Sequence, residues 1–497
     1  MRNLSGGFEK KQALIWIHAI DASSEPLLGK NCVIIGWVFC SERDLESAFA
    51  RRVAMTGTHA TTGASDEWNN LRAEACGSVA VFGRQRSQQD EQEMKLASTI
   101  QRSPVWLLVK LALIRRQFAA TGGAELYLQR LVPALSGKGH EIHLFAEQWS
   151  GSPEGVVMHR VTVDASRSQR GPAFAQAVDV ALRSHVFDCV FSLERTLRQD
   201  VYRAGDGVHR VWLERRRQFA PWWKRPFIGW SAFHRNMQAL EAQVFQPANT
   251  GRIIVNSEMV KREILNHFDY PSDRIHLVRN GVDVDRLQRG SREETRRRFG
   301  FKDQDLVLLF VGSGWERKGL RYLMKAMDYL GLHPRMEPAE RESVEDEERS
   351  QRRGALSVKL LIVGKGRSPY LTSDDYIFAG AMSDVENAYA AADLFVFPPI
   401  YEPSANVVAE AMAAGLPVIT TAQNGASEWI EEGVDGTVLP DPSDIRAIAR
   451  AILHWASRRF VARPLDTERF RLERNVSETL AVLELAASEK RARKANA

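Results

Sequence analysis

Cysteine is scarce in this chain, with four in 497 residues, at Cys32, Cys40, Cys76 and Cys189. None forms a Cys-x-x-Cys pair, so neither a zinc site nor a disulfide framework is expected; reduced, cytosolic thiols fit better. Long apolar runs are missing too, and nothing reaches the length needed to span a bilayer. Residues 13–20 are apolar, but the run is short and lacks a convincing cleavage site, so no signal peptide is read there. There is no short internal repeat. Charge of one sign is only mildly in excess, at +5, with a pI near 9.0. That balance suits an anionic partner such as a nucleotide, a phosphorylated saccharide or an acidic membrane, and is too weak and diffuse to call for nucleic acid. The length calls for two or more domains of an ordinary soluble globular kind.

The most informative stretch is residues 401–421. It opens as a polar loop with Glu402, Pro403, Ser404, Ala405 and Asn406, becomes a short Ala-rich helix, and stops at Gly415. It restarts through Pro417 as a strand. Alanine favours helix, glycine suits the position past a helix end, and proline cannot continue the helix. Glu402 precedes the helix and can reach a ligand at its N-terminus; Glu410, two turns in, can reach a group lying alongside. Two acids at that spacing would by themselves describe an ordinary surface helix. The whole string, Glu-x7-Glu followed by Ala-Met-Ala-x-Gly-x-Pro-Val, resembles the retaining glycosyltransferases of family 4.

Residues 1–104 carry no motif. Residues 13–17 and 32–39 read as possible strands, while 63–70 and 85–93 are polar without apolar period. The segment reads either as an extension or as an upstream stretch of translation outside the functional unit, and its composition suits disorder over much of it. From residue 105 the pattern becomes regular. An apolar strand (105–114), a loop with Gly122 and Gly123, a helix (126–136) and a second strand (139–145) make a βαβ unit. Paired glycines allow close backbone approach to a phosphate or sugar. Further strands are read at 187–192 and 253–257, with a helix at 258–267.

Between them, Gly205 and Asp206 lead into His209 and a basic, aromatic run. It includes Trp212, Arg215, Arg216, Arg217, Phe219, Trp222, Trp223, Lys224, Arg225, Phe227, Trp230 and Phe233. Interleaved rings and cations suit a membrane interface or a phosphorylated acceptor. They equally suit a helical hairpin with its aromatics in the core.

The second half repeats the architecture. A strand (306–312) leads through Arg317 and Lys318 into a helix with Leu320, Leu323, Met324, Met327 and Leu330 on one face. The two cations thus stand at the ligand-binding edge of a parallel sheet, where an anion would relieve their conflict with a helix N-terminus. Residues 333–353 read as a charged exposed insertion. Strands at 358–366 and 376–380, a helix at 384–392 and a strand at 393–398 follow. A helical region from 444 to about 487 ends in a basic tail.

The resemblance spans roughly residues 107–490. It implies an α/β chain of the GT-B type, with two Rossmann-like domains whose parallel sheets face each other across a cleft. The divisions expected are 1–104 unassigned, 105–285 for the acceptor, 286–460 for the nucleotide-sugar donor, and 461–497 as a terminal helical region with the tail. Within family 4 the chain looks most like the lipopolysaccharide core glucosyltransferase I group. The implied reaction is transfer of a hexose, glucose, from a UDP-sugar to an inner-core heptose, with retention. The alternatives are a mannosyl or galactosyl transferase with another acceptor, or a non-catalytic nucleotide-sugar scaffold at the membrane.

On this resemblance Arg317 and Lys318 meet the diphosphate, Glu402 the donor sugar and Glu410 the ribose. Gly122, Gly123, Ser404, Ala405 and Asn406 join them at the donor, the backbone near Ile377 holds the base, and Asp206, with His209 as the alternative, orients sugar hydroxyls. Asp206, Glu402, Arg317 and Lys318 form the catalytic set. His209, Arg215, Arg216, Arg217, Trp222, Trp223, Lys224 and Arg225 form the acceptor or membrane surface. No cofactor is expected beyond the UDP-sugar co-substrate, and no metal, since no Asp-x-Asp is suited to sit between phosphates. The partners implied are a lipopolysaccharide core or other glycolipid and an anionic membrane, with a cytoplasmic, peripheral location at its inner face. Many relatives carry Phe-Gly where this chain has Ser404 and Ala405, which opens the donor's identity.

Because the first βα unit begins at residue 105, a chain starting near Ser103 should fold and bind UDP. Loss of soluble protein from that shortened chain, with the full chain soluble, would make the first hundred residues structural.

Overall fold

The structure, a computed structural model, describes residues 109–118, 123–149, 155–330, 357–366, 374–458 and 466–496. The expected strands at 13–17 and 32–39, the rest of residues 1–104, the start of the first strand, Gly122 and the insertion at 333–353 lie outside the described residues.

Two all-parallel sheets carry the fold. The first has seven strands: β1 (Lys110–Ile114), β2 (Glu141–Ala146), β3 (Val156–Arg160), β4 (Cys189–Ser192), β5 (Gln199–Arg203), β6 (Thr250–Val255) and β7 (Ile275–Leu277). Their order across the sheet is β3-β2-β1-β4-β5-β6-β7. The second has six: β8 (Leu306–Val311), β9 (Val358–Val363), β10 (Tyr376–Gly380), β11 (Leu394–Phe397), β12 (Val418–Thr421) and β13 (Gly436–Leu439), ordered β10-β9-β8-β11-β12-β13. Every pairing in them is parallel. Parallel strands are covered on both faces, which is why β8 and β11 read as unbroken apolar runs and are buried throughout.

Both sheets wind outward from one central pair, β1 beside β4 and β8 beside β11. At such a reversal the connecting helices leave to opposite faces, and a crevice opens beyond the C-terminal strand ends. The loops following β8 and β11 therefore meet, and they carry Arg317, Lys318 and Glu402.

Helices among the described residues include α1 (Gly123–Gly137), α2 (His209–Gln218), α3 (Ala232–Val244), α4 (Glu258–His267), α5 (Leu320–Tyr329), α6 (Asn406–Ala413) and α7 (Leu472–Ala495). The chain passes between the domains at residues 278–284. There Asp283 caps the short helix Val284–Leu287 by accepting from the Arg286 N–H, and Asp285 pairs with Arg471 at 3.2 Å.

The terminal helix α7 returns to the first domain. Its Leu480, Val482, Leu483, Ala486 and Ala487 are buried with Leu111, Leu113, Tyr127, Leu131 and Phe191 in one core. The residues of the basic tail are in part paired: Lys490 with Asp200 at 2.7 Å and Arg491 with Asp188 at 2.9 Å. Cys189 is a free, buried thiol in that core.

Leu483→Ala should therefore destabilise the first domain by about 2–5 kcal/mol, the usual cost of a cavity at a fully buried leucine. Urea unfolding followed by far-UV circular dichroism checks this.

Candidate active site

The loop after β8 turns through Gly314 (φ 76°), forms one helical turn at Trp315–Lys318, and resets at Gly319 (φ 78°) before α5 begins. Glycine is needed at 319 twice over: the φ is left-handed, and a Cβ would collide with the Pro398 carbonyl of the loop after β11. The Ile400 N–H donates to the Arg317 carbonyl at 3.0 Å, zipping the two loops together. Their side chains then converge. Arg317 Nη2 lies 3.1 Å and Lys318 Nζ 3.5 Å from Glu402 Oε2, and the Glu402 side chain is only 12% exposed. Lys318 also stands 5.3 Å over the Phe397 ring. A carboxylate held this far from water requires such cations, and they in turn are fixed by it.

Glu410 sits two turns along α6. Tyr389 Oη donates to its Oε2 at 2.7 Å. Burial pushes its carboxyl above the usual range, opposed by that hydrogen bond and by the charges of Arg286 and Lys318. At the start of α6 the Ala405 N–H is taken by Asn424 Oδ1 at 3.2 Å. Asn406 Oδ1 accepts from Asn280 at 2.7 Å, and Asn280 accepts from Arg203 at 2.7 Å. Thus the first domain reaches across to the start of α6.

Asp206 occupies an exposed turn after β5. Asn256 donates to the Gly205 carbonyl at 3.2 Å, and Arg195 to the Gly207 carbonyl at 3.0 Å. Glu241, buried in α3, accepts from the N–H groups of His209 and Arg210 at the start of α2, at 2.6 and 3.1 Å, and pairs with Arg195 at 3.3 Å. The His209 imidazole meets His234 at 3.0 Å. Burial, then the Arg195 and His234 charges, push it down to about 4, so it is neutral at physiological pH. Among the described residues no group of three or more His, Cys, Asp or Glu side chains is arranged to hold a metal ion.

Residues 121–286 match the family model Glycosyltransferase Family 4, and residues 305–458 match Glycosyl transferases group 1. The chain belongs to glycosyltransferase family 4. Lipopolysaccharide glucosyltransferase WaaG of Escherichia coli (strain K12) is 25% identical over 327 residues, covering 65% of this transferase and 82% of WaaG. D-inositol 3-phosphate glycosyltransferase of Thermobifida fusca (strain YX) is 24% identical over 381 residues, covering 68% and 82%. Among solved structures, WaaG, a glycosyltransferase involved in lipopolysaccharide biosynthesis, aligns with a TM-score of 0.57 at 21% identity, over 76% of this chain and 98% of that one. Sucrose-phosphate synthase from Thermosynechococcus elongatus aligns at 0.50 and 17%, over 78% and 98%. The two facing parallel-sheet domains are the GT-B fold.

Within this glycosyltransferase the structure gathers the expected residues unevenly. Arg317, Lys318 and Glu402 meet directly; Ser404, Ala405, Asn406 and Glu410 follow on the same loop and helix. Ile377 is half-buried in β10, next to Phe378, whose ring packs 5.6 Å from Trp315 of the Arg-Lys turn. Gly123 opens α1, while Gly122 lies outside the described residues.

The basic aromatic run splits by role. Arg217 donates to the Ile228 carbonyl at 2.8 Å, and His209 meets His234 at the α2–α3 junction. Trp222, Trp223, Phe227, Trp230 and Phe233 are exposed together, Trp222 by 76%, so the expectation of a hairpin with these rings in its core does not hold. Lys224 and Arg225 are exposed beside them. Sequence reasoning gave no site role to Glu241, Arg195, Asn280 and Arg203, which lie far apart in the chain. Tyr401, one residue before Glu402, was in view and unassigned.

Proposed function

We propose that the protein moves glucose from UDP-glucose to an inner-core heptose of lipopolysaccharide, retaining the anomeric configuration. The observation that carries the donor half is the contact of Arg317 and Lys318 with Glu402 at the switch-point edge of the second sheet. The acceptor half rests on the likeness to WaaG and on the exposed cationic, aromatic hairpin.

In this reading the diphosphate enters beside Arg317 and Lys318, whose charges stabilise UDP as it departs. The bond from the anomeric carbon to the phosphate oxygen breaks, and a bond to the acceptor hydroxyl oxygen forms on the same face. The departing phosphate takes the hydroxyl proton. Asp206 orients sugar hydroxyls. Glu402 faces the sugar as it gains positive charge, and Glu410 holds the ribose. Gly122, Gly123, Ser404, Ala405 and Asn406 shape the donor pocket, and the backbone near Ile377 holds the base. The charge on the leaving group is met by side chains, so the step is written without a metal or cofactor. Ser404 and Ala405 make the donor hexose the most open part of the reading, with mannosyl and galactosyl transfer the competitors. A non-catalytic scaffold would bind UDP-sugars without hydrolysing them. A panel of UDP- and GDP-sugars, assayed for hydrolysis and transfer, separates these cases.

The two acids should fail differently. Glu410→Gln removes binding shared by ground and transition states, so donor KM should rise with kcat little changed. Glu402→Gln should lower kcat on the order of ten- to a hundredfold, since a charge-assisted hydrogen bond is worth about 1.5–3 kcal/mol. Steady-state kinetics with UDP-glucose and a core acceptor checks both, and an unchanged kcat for Glu402→Gln would remove it from the chemistry.

The hairpin around Trp222 is read as docking on the anionic inner face of the membrane, as a peripheral contact; no helix among the described residues is long and apolar enough to cross one. Each cation near such a surface contributes about 1 kcal/mol, fading within a Debye length. Sedimentation with anionic vesicles should therefore fall with added salt, and fall again in Trp222→Ala/Trp223→Ala and Lys224→Ala. Binding indifferent to salt and to these changes would sink the membrane reading.

A further inference from the structure

We propose that Tyr401 is a positioning residue, locking the first-domain turn that bears Asp206 to the second-domain loop that bears Glu402. The inference rests on the reading of those two acids as facing the transferred sugar.

Tyr401 belongs to the second domain by sequence, but its ring is buried in a first-domain core with Val208, Val211, Val244 and Val260. It is 1% exposed, and Trp212 stacks on it at 6.2 Å between ring centroids. Its hydroxyl is fully used: it accepts from the Val208 N–H at 3.0 Å and donates to Glu263 Oε2 at 2.8 Å. A buried phenol with one of these partners missing would be costly, so the pair of bonds defines where the ring can sit.

The adjoining residue is held as well. Ser257 Oγ, itself the N-cap of α4, donates to the Pro403 carbonyl at 2.7 Å. Thus the residues on both sides of Glu402 are gripped by the first domain. Glu402 is also fixed within its own domain: its N–H donates to the Gln423 carbonyl at 2.9 Å, and its carbonyl accepts from the Gly425 N–H at 2.9 Å.

On the opposite side, the gripping residues directly follow Asp206. Gly207 has a left-handed φ of 68°, and a Cβ there would stand 2.8 Å from Pro403 Cγ and closer still to the Tyr401 hydroxyl. The absence of a side chain at 207 is what lets the two loops touch. The link from Asp206 to Glu402 then runs through Gly207, Val208 and Tyr401, all buried. Two acids on separate domains are set in mutual register by a packed contact instead of by a mobile cleft.

The proton acceptor of the lock, Glu263, is surrounded by mixed charge. Burial pushes its carboxyl up to about 7; the Tyr401 hydrogen bond, Arg215 and Arg262 oppose this, and Glu241 adds to it. Because the bond needs only an acceptor oxygen, Glu263→Gln should preserve the lock, while Glu263→Leu should break it from the first-domain side.

Hydrogen–deuterium exchange on the full chain tests this without any substrate. Glu263→Leu and Tyr401→Phe should each raise exchange about fivefold or more, both at Val208 and across residues 402–406, as expected when a shared hydrogen bond is lost. Glu263→Gln should resemble the parent chain. Loosening confined to first-domain amides in Glu263→Leu would overturn the proposal. Should that variant fail to fold, Tyr401→Phe, which keeps the ring, decides alone, and unchanged exchange at 402–406 overturns it.

With UDP-glucose, Tyr401→Phe should lower kcat on the order of ten- to a hundredfold, with donor KM within about twofold, the mark of misplacement and not of lost binding. A parent chain inactive on UDP-glucose would count against the donor reading and leave the exchange result standing.

Discussion

A carboxylate removed from water must be met by positive charge, and much of the second domain's active edge follows from how Glu402 satisfies that demand. Arg317 and Lys318 reach it only because the loop after β8 and the loop after β11 run side by side, tied by the Ile400 N–H and admitted by the missing side chain at Gly319. The three charges form one unit. Any anion entering there would compete with Glu402 for the same two cations.

The second constraint is that the first domain is not complete by its own stretch of sequence. Helix α7 supplies part of the first domain's core although it is the last element in the chain. Its ends are secured by polar contacts: Asn475 donates to the Arg279 carbonyl, Tyr127 donates to Thr479 at 3.1 Å, and Lys490 and Arg491 pair with acids at the sheet edge. Likewise, Glu428 of the second domain accepts from the N–H groups of Glu258 and Met259 at the start of α4, and pairs with Arg279 at 2.7 Å. A carboxylate at a helix N-terminus is favourable on both dipole and hydrogen-bond grounds. The domains are therefore held by directional bonds near Asn406 and Glu428, in addition to the covalent crossings at 278–284 and ahead of α7.

The exposed rings around Trp222 show how far composition can carry an argument. Alternating aromatics and cations in sequence are compatible with a packed hairpin or with an interfacial surface, because a helix or a 3-10 turn can present either face. The structure separates the run by packing. Leu213 and Val211 of α2 turn inward, Arg217 braces the hairpin, and five rings with Lys224 and Arg225 are left outside.

The sequence by itself determined the elements whose signal is local. Unbroken apolar runs marked β8 and β11, and apolar runs carrying a single lysine marked β1 and β9, because strands buried on both faces tolerate little polar alternation. Gly415 and Pro417 marked the end of α6, and the acidic spacing with the Arg-Lys turn marked the sheet edge where the charges gather, because glycine, proline and charge act over a few residues. Tertiary structure alone decided what those groups touch. Glu402 was legible as an acid at a helix start, but its pairing with Arg317 and Lys318 depends on strand order. Tyr401 read as one aromatic in a loop, yet it lies in the other domain's core, and Glu241 caps a helix thirty residues before it in the chain. α7 read as a terminal helix with a basic tail, and only its return across the molecule makes it first-domain core. These partners are fixed by which surfaces meet when two sheets pack, a property of the folded chain that no local pattern encodes.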